Sequence, residues 1–219
     1  MTSPITRTDP SATLRDTPII AVLRAKDAAD YGPVVDTLAE NGIRSIELTL
    51  STPNTIELLP RLDAHAGPGI EIGVGTITDL DQAQRAIDAG AAYLVTPVVN
   101  VEVIALALRH GLPVYPGGLT PTELQSAWQA GATAVKIFPA ETVGPQYGNH
   151  LRGPFPELRF VPSGGVLLDD VPAWLSAGAT AVSLGGPLIG DALSGGSLEA
   201  LAERAARVVA LARTQRSQA

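Results

Sequence analysis

A (β/α)8 barrel is the fold class that this chain of 219 residues predicts. Three observations carry the expectation. Apolar strand-length runs alternate with helix-length amphipathic segments about eight times, the loops between them are short, and one helix-to-strand joint recurs. The joint reads Ala130-Gly-Ala-Thr-Ala-Val-Lys-Ile137 and again Ala177-Gly-Ala-Thr-Ala-Val-Ser-Leu184, with Ala89-Gly-Ala-Ala-Tyr-Leu-Val95 as a looser copy. In each, a glycine closes a helix in the left-handed conformation and the next residues enter a strand, so successive strands run parallel. An open doubly wound sheet shares such joints and is the alternative architecture.

The first unit is an apolar run, Ile19-Ile-Ala-Val-Leu-Arg24, followed by helical spacing of Val34, Val35 and Leu38 within 28–41, stopped at Asn41-Gly42. A strand is predicted over 43–50, a helix over 53–66, and a third strand over 69–74 that ends at Gly75-Thr76. A helix over 79–89 ends at Gly90, a strand covers 92–96, and a helix over 101–110 stops at Gly111. After a strand over 112–115, Thr120-Pro121-Thr122-Glu123 supplies a Thr N-cap, a Pro at the first helical position and a Glu at N3, which is a capping box. Its helix ends at Ala130-Gly131, and the sixth strand, 132–140, carries a lysine in its middle. A longer connection with glycine and proline, 141–156, precedes a strand over 158–161, a helix over 169–177, a strand over 179–184 and a final amphipathic helix over 197–212. Residues 1–17 mix Thr, Ser, Pro, Arg and Asp without the apolar core of a secretory signal and read as a loose arm; 18–213 form the single barrel domain and 214–219 a frayed tail.

Composition narrows the function. A formal charge of −7, a pI near 4.9 and the lack of any basic run argue against nucleic-acid binding, which needs clustered Lys and Arg for phosphate contacts. There is no cysteine, which removes disulfides, thiolate metal sites and cysteine nucleophiles together. No uninterrupted apolar stretch is long enough to span a bilayer, so no membrane segment is expected and the cytoplasm is the default compartment. His65, His110 and His150 fall at helix ends or in loops without ligand spacing, and no Asp-x-Asp or His-x-His group stands at a strand end. Neither a metal nor any other cofactor is expected. Trp128 and Trp174 sit at helical positions as packing residues.

Lys136 stands out because the chain holds only two lysines against thirteen arginines. An ammonium in an apolar strand is costly unless paired or neutralised, and a neutral lysine amine is the nucleophile that forms a Schiff base with a carbonyl. The plainer alternative is a lysine snorkelling to solvent from a strand end. Strand alternation decides its direction. In the second strand Ser45, Glu47 and Thr49 alternate with Ile46, Leu48 and Leu50, so the polar set faces the barrel axis. In the sixth, Val135 and Ile137 face the helices and leave Ala132, Ala134, Lys136 and Phe138 inside. An inward Glu47 and an inward Lys136, with Arg24 ending the first strand, fit a site for an anionic carbonyl compound; a purely structural ion pair is weak as a stabilising device. Ser163-Gly164-Gly165 after the seventh strand and Gly185-Gly186 after the eighth stand where barrels commonly build phosphate sites from backbone N–H groups.

Read together, Ala21-Val-Leu-Arg24, Ile46-Glu-Leu-Thr49, Val74-Gly-Thr76, Val95-Thr-Pro97, Pro116-Gly117, Thr120-Pro-Thr-Glu123, Val135-Lys-Ile-Phe-Pro139, Val143-Gly-Pro-Gln146 and Phe160-Val-Pro-Ser-Gly-Gly165 resemble the 2-dehydro-3-deoxy-phosphogluconate aldolase family, which includes the 4-hydroxy-2-oxoglutarate and phosphogalactonate variants. The resemblance spans residues 17–195 in order, with about one motif per barrel unit. It implies a class I aldolase, usually a trimer, acting on a 2-keto acid and pyruvate. Carried over by position, Lys136 would form the Schiff base and Glu47 would be the general acid/base. Thr76, Pro97 and Phe138 would line the pyruvate pocket, Arg24 would hold the carboxylate, and Ser163, Gly164 and Gly165 would donate to the keto acid or its distal end. The chain departs from the pattern twice. Leu50-Ser51-Thr52 stands where some members have Leu-Arg-Thr, which puts the carboxylate contact on Arg24. Gly185-Gly186-Pro187 stands where some have Gly-Gly-Ser, and proline lacks both the N–H and the hydroxyl. The alternatives are a different phosphate-binding barrel, such as a sugar-phosphate isomerase or a thiamine-phosphate synthase-like protein, and a silent barrel that only binds a keto acid.

Overall fold

The computed structural model describes residues 6–216. Short aliphatic runs form eight strands: β1 Ile19–Leu23, β2 Ser45–Thr49, β3 Glu71–Gly75, β4 Leu94–Thr96, β5 Val114–Gly118, β6 Val135–Ile137, β7 Phe160–Pro162 and β8 Val182–Leu184. All pair in parallel, in the order β7-β6-β5-β4-β3-β2-β1-β8. The ring closes where Ser163 bridges Ser183, with their hydroxyl oxygens 3.2 Å apart. The fold is therefore the (β/α)8 barrel.

The connecting helices are α2 (Tyr31–Glu40), α3 (Thr55–Ala66), α4 (Leu80–Asp88), α5 (Val101–Arg109), α6 (Pro121–Gln129), α7 (Gln146–Arg152), α8 (Val171–Ser176) and α10 (Leu198–Arg216), with the short α1 (Ala12–Asp16) and α9 (Gly186–Ile189) at the two ends of the barrel. Side chains that accept from free N–H groups start them: Asp79 for α4, Asn100 for α5 and Thr120 for α6, the last in a complete capping box with Glu123. Gly131 and Gly178 in the repeated joint have φ of 106° and 93°, the left-handed turn that sends each helix back into a strand.

Strand alternation divides the core in two. Ile19, Ala21, Leu23, Ile46, Leu48, Ile72 and Val74 face outward and pack with helix residues such as Val34, Leu38, Leu59 and Leu201. Ile20, Tyr93, Val95, Tyr115, Ala134, Val161 and Ala181 fill the axis. Trp174 is buried edge-on to Phe160, 6.4 Å between centroids.

Three expectations need correction. The loose arm expected through residue 17 instead contains α1, whose Leu14 is 1% exposed and joins the axial cluster. Arg7 ties the preceding segment down, donating to the carbonyls of Ala132 and Trp128 at 2.6 and 2.7 Å and lying over the Trp128 ring. Arg159 and Asp9 form an ion pair at 2.6 Å beside it. At the other end α10 continues through Arg216, past the expected fray at 214, with the Thr214 hydroxyl donating to the Ala210 carbonyl; residues 1–5 and 217–219 lie outside the described part. The longer connection 141–156, to which the sequence assigns no element, carries the end of a 3-10 turn and α7. Ala132 belongs to the helix-side core rather than the axis, because β6 begins only at Val135 and Thr133 is still bonded to Val114 in the joint before it.

Candidate active site

Parallel strands that all point one way deliver their C-terminal ends to one face, where every strand except β5 contributes to a cavity of about 420 Å³. Lys136 reaches it from β6 and Glu47 from β2. Arg24, Thr76, Pro97 and Phe138 follow the ends of β1, β3, β4 and β6. Ser163, Gly164 and Gly165 follow β7, and Gly185 and Gly186 follow β8. All the residues singled out in the sequence therefore line the same cavity. Val22, Ile189, Gly190, Leu193 and Ser194 complete its wall.

Lys136 and Glu47 are the buried charges of this site, 8% and 1% exposed. The Lys136 Nζ lies 4.0 Å from Glu47 Oε1 and 5.1 Å from the centre of the Phe138 ring. A separation of 4.0 Å is an ion pair but too long for a direct hydrogen bond. Lys136 sits opposite Gly117 on β5 and Val161 on β7, and Ala134 is the next axial residue below it. Small neighbours give the long side chain room. The snorkelling alternative is not what the geometry shows, since the amine turns toward the axis and the carboxylate.

Arg24 is exposed at the rim and forms no ion pair with any described residue. Its loop is held from both sides by threonines of the second unit. The Thr49 hydroxyl donates to the Leu23 carbonyl at 3.1 Å, and the Ala25 N–H donates to the Thr52 hydroxyl at 3.0 Å. Thr49 is among the residues that alternation turns inward, whereas the support from Thr52 was not read from the sequence; the Ser-Thr-bearing turn after β2 was its signal. Ser51 donates to Thr49 Oγ1 at 3.2 Å and takes no part in lining the cavity.

Thr76 carries a φ of 64°, the left-handed region that a β-branched residue rarely enters and that costs about 1–3 kcal/mol. Its neighbours are pinned: Leu50 N–H donates to the Gly75 carbonyl at 2.9 Å and Ile77 N–H to the Val95 carbonyl at 3.2 Å. The strain sits on the cavity wall. No backbone hydrogen bond among the described residues uses the N–H of Gly164, Gly165 or Gly186, which leaves these donors for an anion. Pro187 falls in the first turn of α9, a four-residue helix. His65 pairs with Asp36 on the surface at 2.9 Å, and His110 and His150 are exposed, far from this chemistry.

A barrel that converges a buried lysine, a buried carboxylate and a free arginine on one cavity is built for carbonyl chemistry on an anionic substrate, the class of the barrel aldolases. Comparison with known proteins gives the family: a family model described as KDPG and KHG aldolase matches residues 11–202, and the chain belongs to that family. It is an aldolase, and so a lyase. The 2-dehydro-3-deoxy-phosphogluconate aldolase of Pseudomonas aeruginosa is 35% identical over 163 residues, 74% of each chain. The 2-dehydro-3-deoxy-6-phosphogalactonate aldolase of Escherichia coli is 34% identical over 197 residues, 88% of this chain and 93% of the other. A solved structure of KDPG aldolase from Legionella pneumophila, with pyruvate captured at low pH as a covalent carbinolamine intermediate, is 26% identical with a TM-score of 0.82, covering 90% of this chain and 96% of that one. Among the described residues no helix is long and apolar enough to cross a membrane.

Proposed function

We propose that this aldolase works through a Schiff base on Lys136 and reversibly cleaves 2-dehydro-3-deoxy-6-phosphogluconate to pyruvate and glyceraldehyde 3-phosphate. The observation that carries the reading is the buried Lys136–Glu47 pair, 4.0 Å apart on the cavity floor. The Lys136 amine adds to the C2 carbonyl, the carbinolamine loses water, and the protonated imine becomes an electron sink. Glu47 takes the proton of the C4 hydroxyl as the C3–C4 bond breaks, the electron pair moves to an enamine of pyruvate, and the aldehyde leaves. Glu47 then returns the proton to C3, and water releases pyruvate from Lys136. The carbinolamine of the Legionella relative supports the covalent step by kinship.

Arg24 holds the substrate carboxylate, while Thr76, Pro97 and Phe138 shape the pyruvate pocket. Ser163, Gly164 and Gly165 donate to the keto acid and the chain beyond it, and Gly185 and Gly186 meet the phosphate through backbone N–H groups. The enzyme works in the cytoplasm as a homotrimer, without metal or other cofactor. A second reading has its own observation: Pro187 in the first turn of α9 removes an N–H from the distal end, which favours an unphosphorylated 4-hydroxy-2-oxoglutarate, and the Escherichia coli relative keeps the phosphogalactonate substrate in view.

Borohydride reduction in the presence of pyruvate tests the mechanism. Mass spectrometry should find one pyruvate-derived adduct on Lys136, and Lys136→Ala should lose both adduct and turnover. An adduct on Lys26, or none, overturns the covalent reading. A substrate panel pairing phosphorylated with unphosphorylated 2-keto-4-hydroxy acids then ranks the two substrate readings by kcat/KM.

A further inference from the structure

Side chains that point into the barrel from β3 would come from Glu71, Gly73 and Gly75, since Glu71 pairs with Ser45 and Gly73 with Glu47 across β2. The upper two positions carry none, and neighbours from the flanking strands fill the space. A Cβ on Gly73 would collide with the Tyr93 ring. A Cβ on Gly75 would fall on Glu47 Oε1 and lie 2.5 Å from Cδ and 2.7 Å from Cγ. We propose that Gly75 is a positioning residue for Glu47: the missing side chain is the slot that holds the carboxylate beside Lys136.

Two further observations support this. No hydrogen bond from a described residue fixes the Glu47 carboxylate, and its ion pair with Lys136 is a loose 4.0 Å, so packing sets its direction. The slot below is closed by a rigid block. Tyr93 fills the space over Gly73, its hydroxyl is 3.2 Å from the Ser45 hydroxyl, and its ring stands edge-on to Tyr115 with centroids 5.6 Å apart. Desolvation by burial raises the Tyr93 phenol well above its ordinary pKa, so this block is itself neutral. Glu47 is thereby left the space above Gly75.

The nature of the obstacle separates Gly75 from other crowded glycines. At Gly117 an added Cβ would press on the Pro97 backbone, 2.5 Å from its carbonyl oxygen, and the main chain would have to move. At Gly75 it meets the far end of a flexible side chain. Alanine there displaces the carboxylate and leaves the barrel standing, and a displacement of about 1 Å at a reacting group is worth about a hundredfold in rate.

The inference rests on the reading of Glu47 as the acid/base group, and the experiment separates the two. Gly75→Ala should keep the pyruvate adduct on Lys136 within about twofold in rate, keep KM within about threefold, and lower kcat by about tenfold to a hundredfold. Glu47→Asp retracts the carboxylate from the added methyl, so the Gly75→Ala, Glu47→Asp double variant should lose less than the product of the two single losses. Wild-type kcat in Gly75→Ala, equal losses in adduct formation and turnover, or a multiplicative double variant each overturn the positioning role. Glu47→Gln is measured alongside. If it turns over at the wild-type rate, the acid/base reading falls; if it is slow while Gly75→Ala is not, only the positioning role falls.

Discussion

The two ends of the barrel are made of opposite materials. At the N-terminal end Leu14, Ile20, Tyr93 and Ala181 close the axis with side chains, α1 caps it, and Arg7 fastens the leading segment to the joint before β6. At the C-terminal end the inward positions of β3 are glycines, a lysine and a glutamate are buried together, Thr76 holds a left-handed backbone, and Arg24 has no ionic partner among the described residues. Close packing at the floor supplies stability that the mouth spends on buried charge and strain. The division explains how a single sheet can be rigid and reactive at once: reactive groups stand on strand ends whose other ends are locked.

Breaking the floor should therefore move stability and leave chemistry alone. Leu14→Ala removes a side chain that is 1% exposed and leaves a cavity under Tyr93 and Ala181, at a cost of about 2–3 kcal/mol and roughly 5–10 °C in Tm. The kcat of the folded variant, measured well below its Tm, should match wild type. An unchanged Tm would show that α1 is no plug, and a fall in kcat would show that the two ends are coupled.

Arg24→Gln is the complementary perturbation at the mouth. Its guanidinium is exposed and forms no ion pair with any described residue, so its removal should leave Tm within about 1 °C. Loss of a charge-assisted contact to the substrate carboxylate should raise KM about tenfold or more. A lowered Tm with unchanged KM would make Arg24 part of the scaffold and erase the contrast.

The same contrast governs what could be read from the sequence. Glu47 and Lys136 are legible because alternation along a strand states which way a side chain points, and a polar residue at an inward position is conspicuous among Ile, Val and Ala. The repeated Ala-Gly-Ala joint made the parallel barrel legible for a similar reason, since each copy fixes a turn. Leu14 is a lone apolar residue among Thr, Ser, Arg and Asp, and one residue has no period, so α1 left no trace as a plug. The helix α7 hid behind Gly148, a poor helix former that packing requires: a Cβ there would meet Phe160 Cζ at 2.6 Å. Gly75 hid for the same reason. A glycine reports nothing about the neighbour that fills its space, and Glu47 becomes that neighbour only once β2 and β3 pair in register.

The smallest effect expected lies between the two ends, at the start of α6, which carries the chain away from β5 on the mouth side. Thr120 Oγ1 accepts from the Glu123 N–H at 3.3 Å, and Glu123 Oε2 accepts from the N–H groups of Leu119 and Thr120 at 3.1 and 2.8 Å. The Thr120 hydroxyl donates to the same carboxylate at 2.7 Å. Thr120→Ala should cost about 1 kcal/mol at neutral pH without changing kcat. The backbone hydrogen bond from Thr120, then its hydroxyl, hold the Glu123 carboxyl below the usual glutamate range. A depressed folded-state pKa means that the box stabilises fully above the unfolded glutamate value and loses that share as pH falls through the lower folded value. The stability difference between wild type and Thr120→Ala should therefore be constant from neutral pH down to the ordinary glutamate range and shrink below it. A gap that stays constant in acid would show that the Thr120 hydroxyl caps the helix without help from its own bond to Glu123.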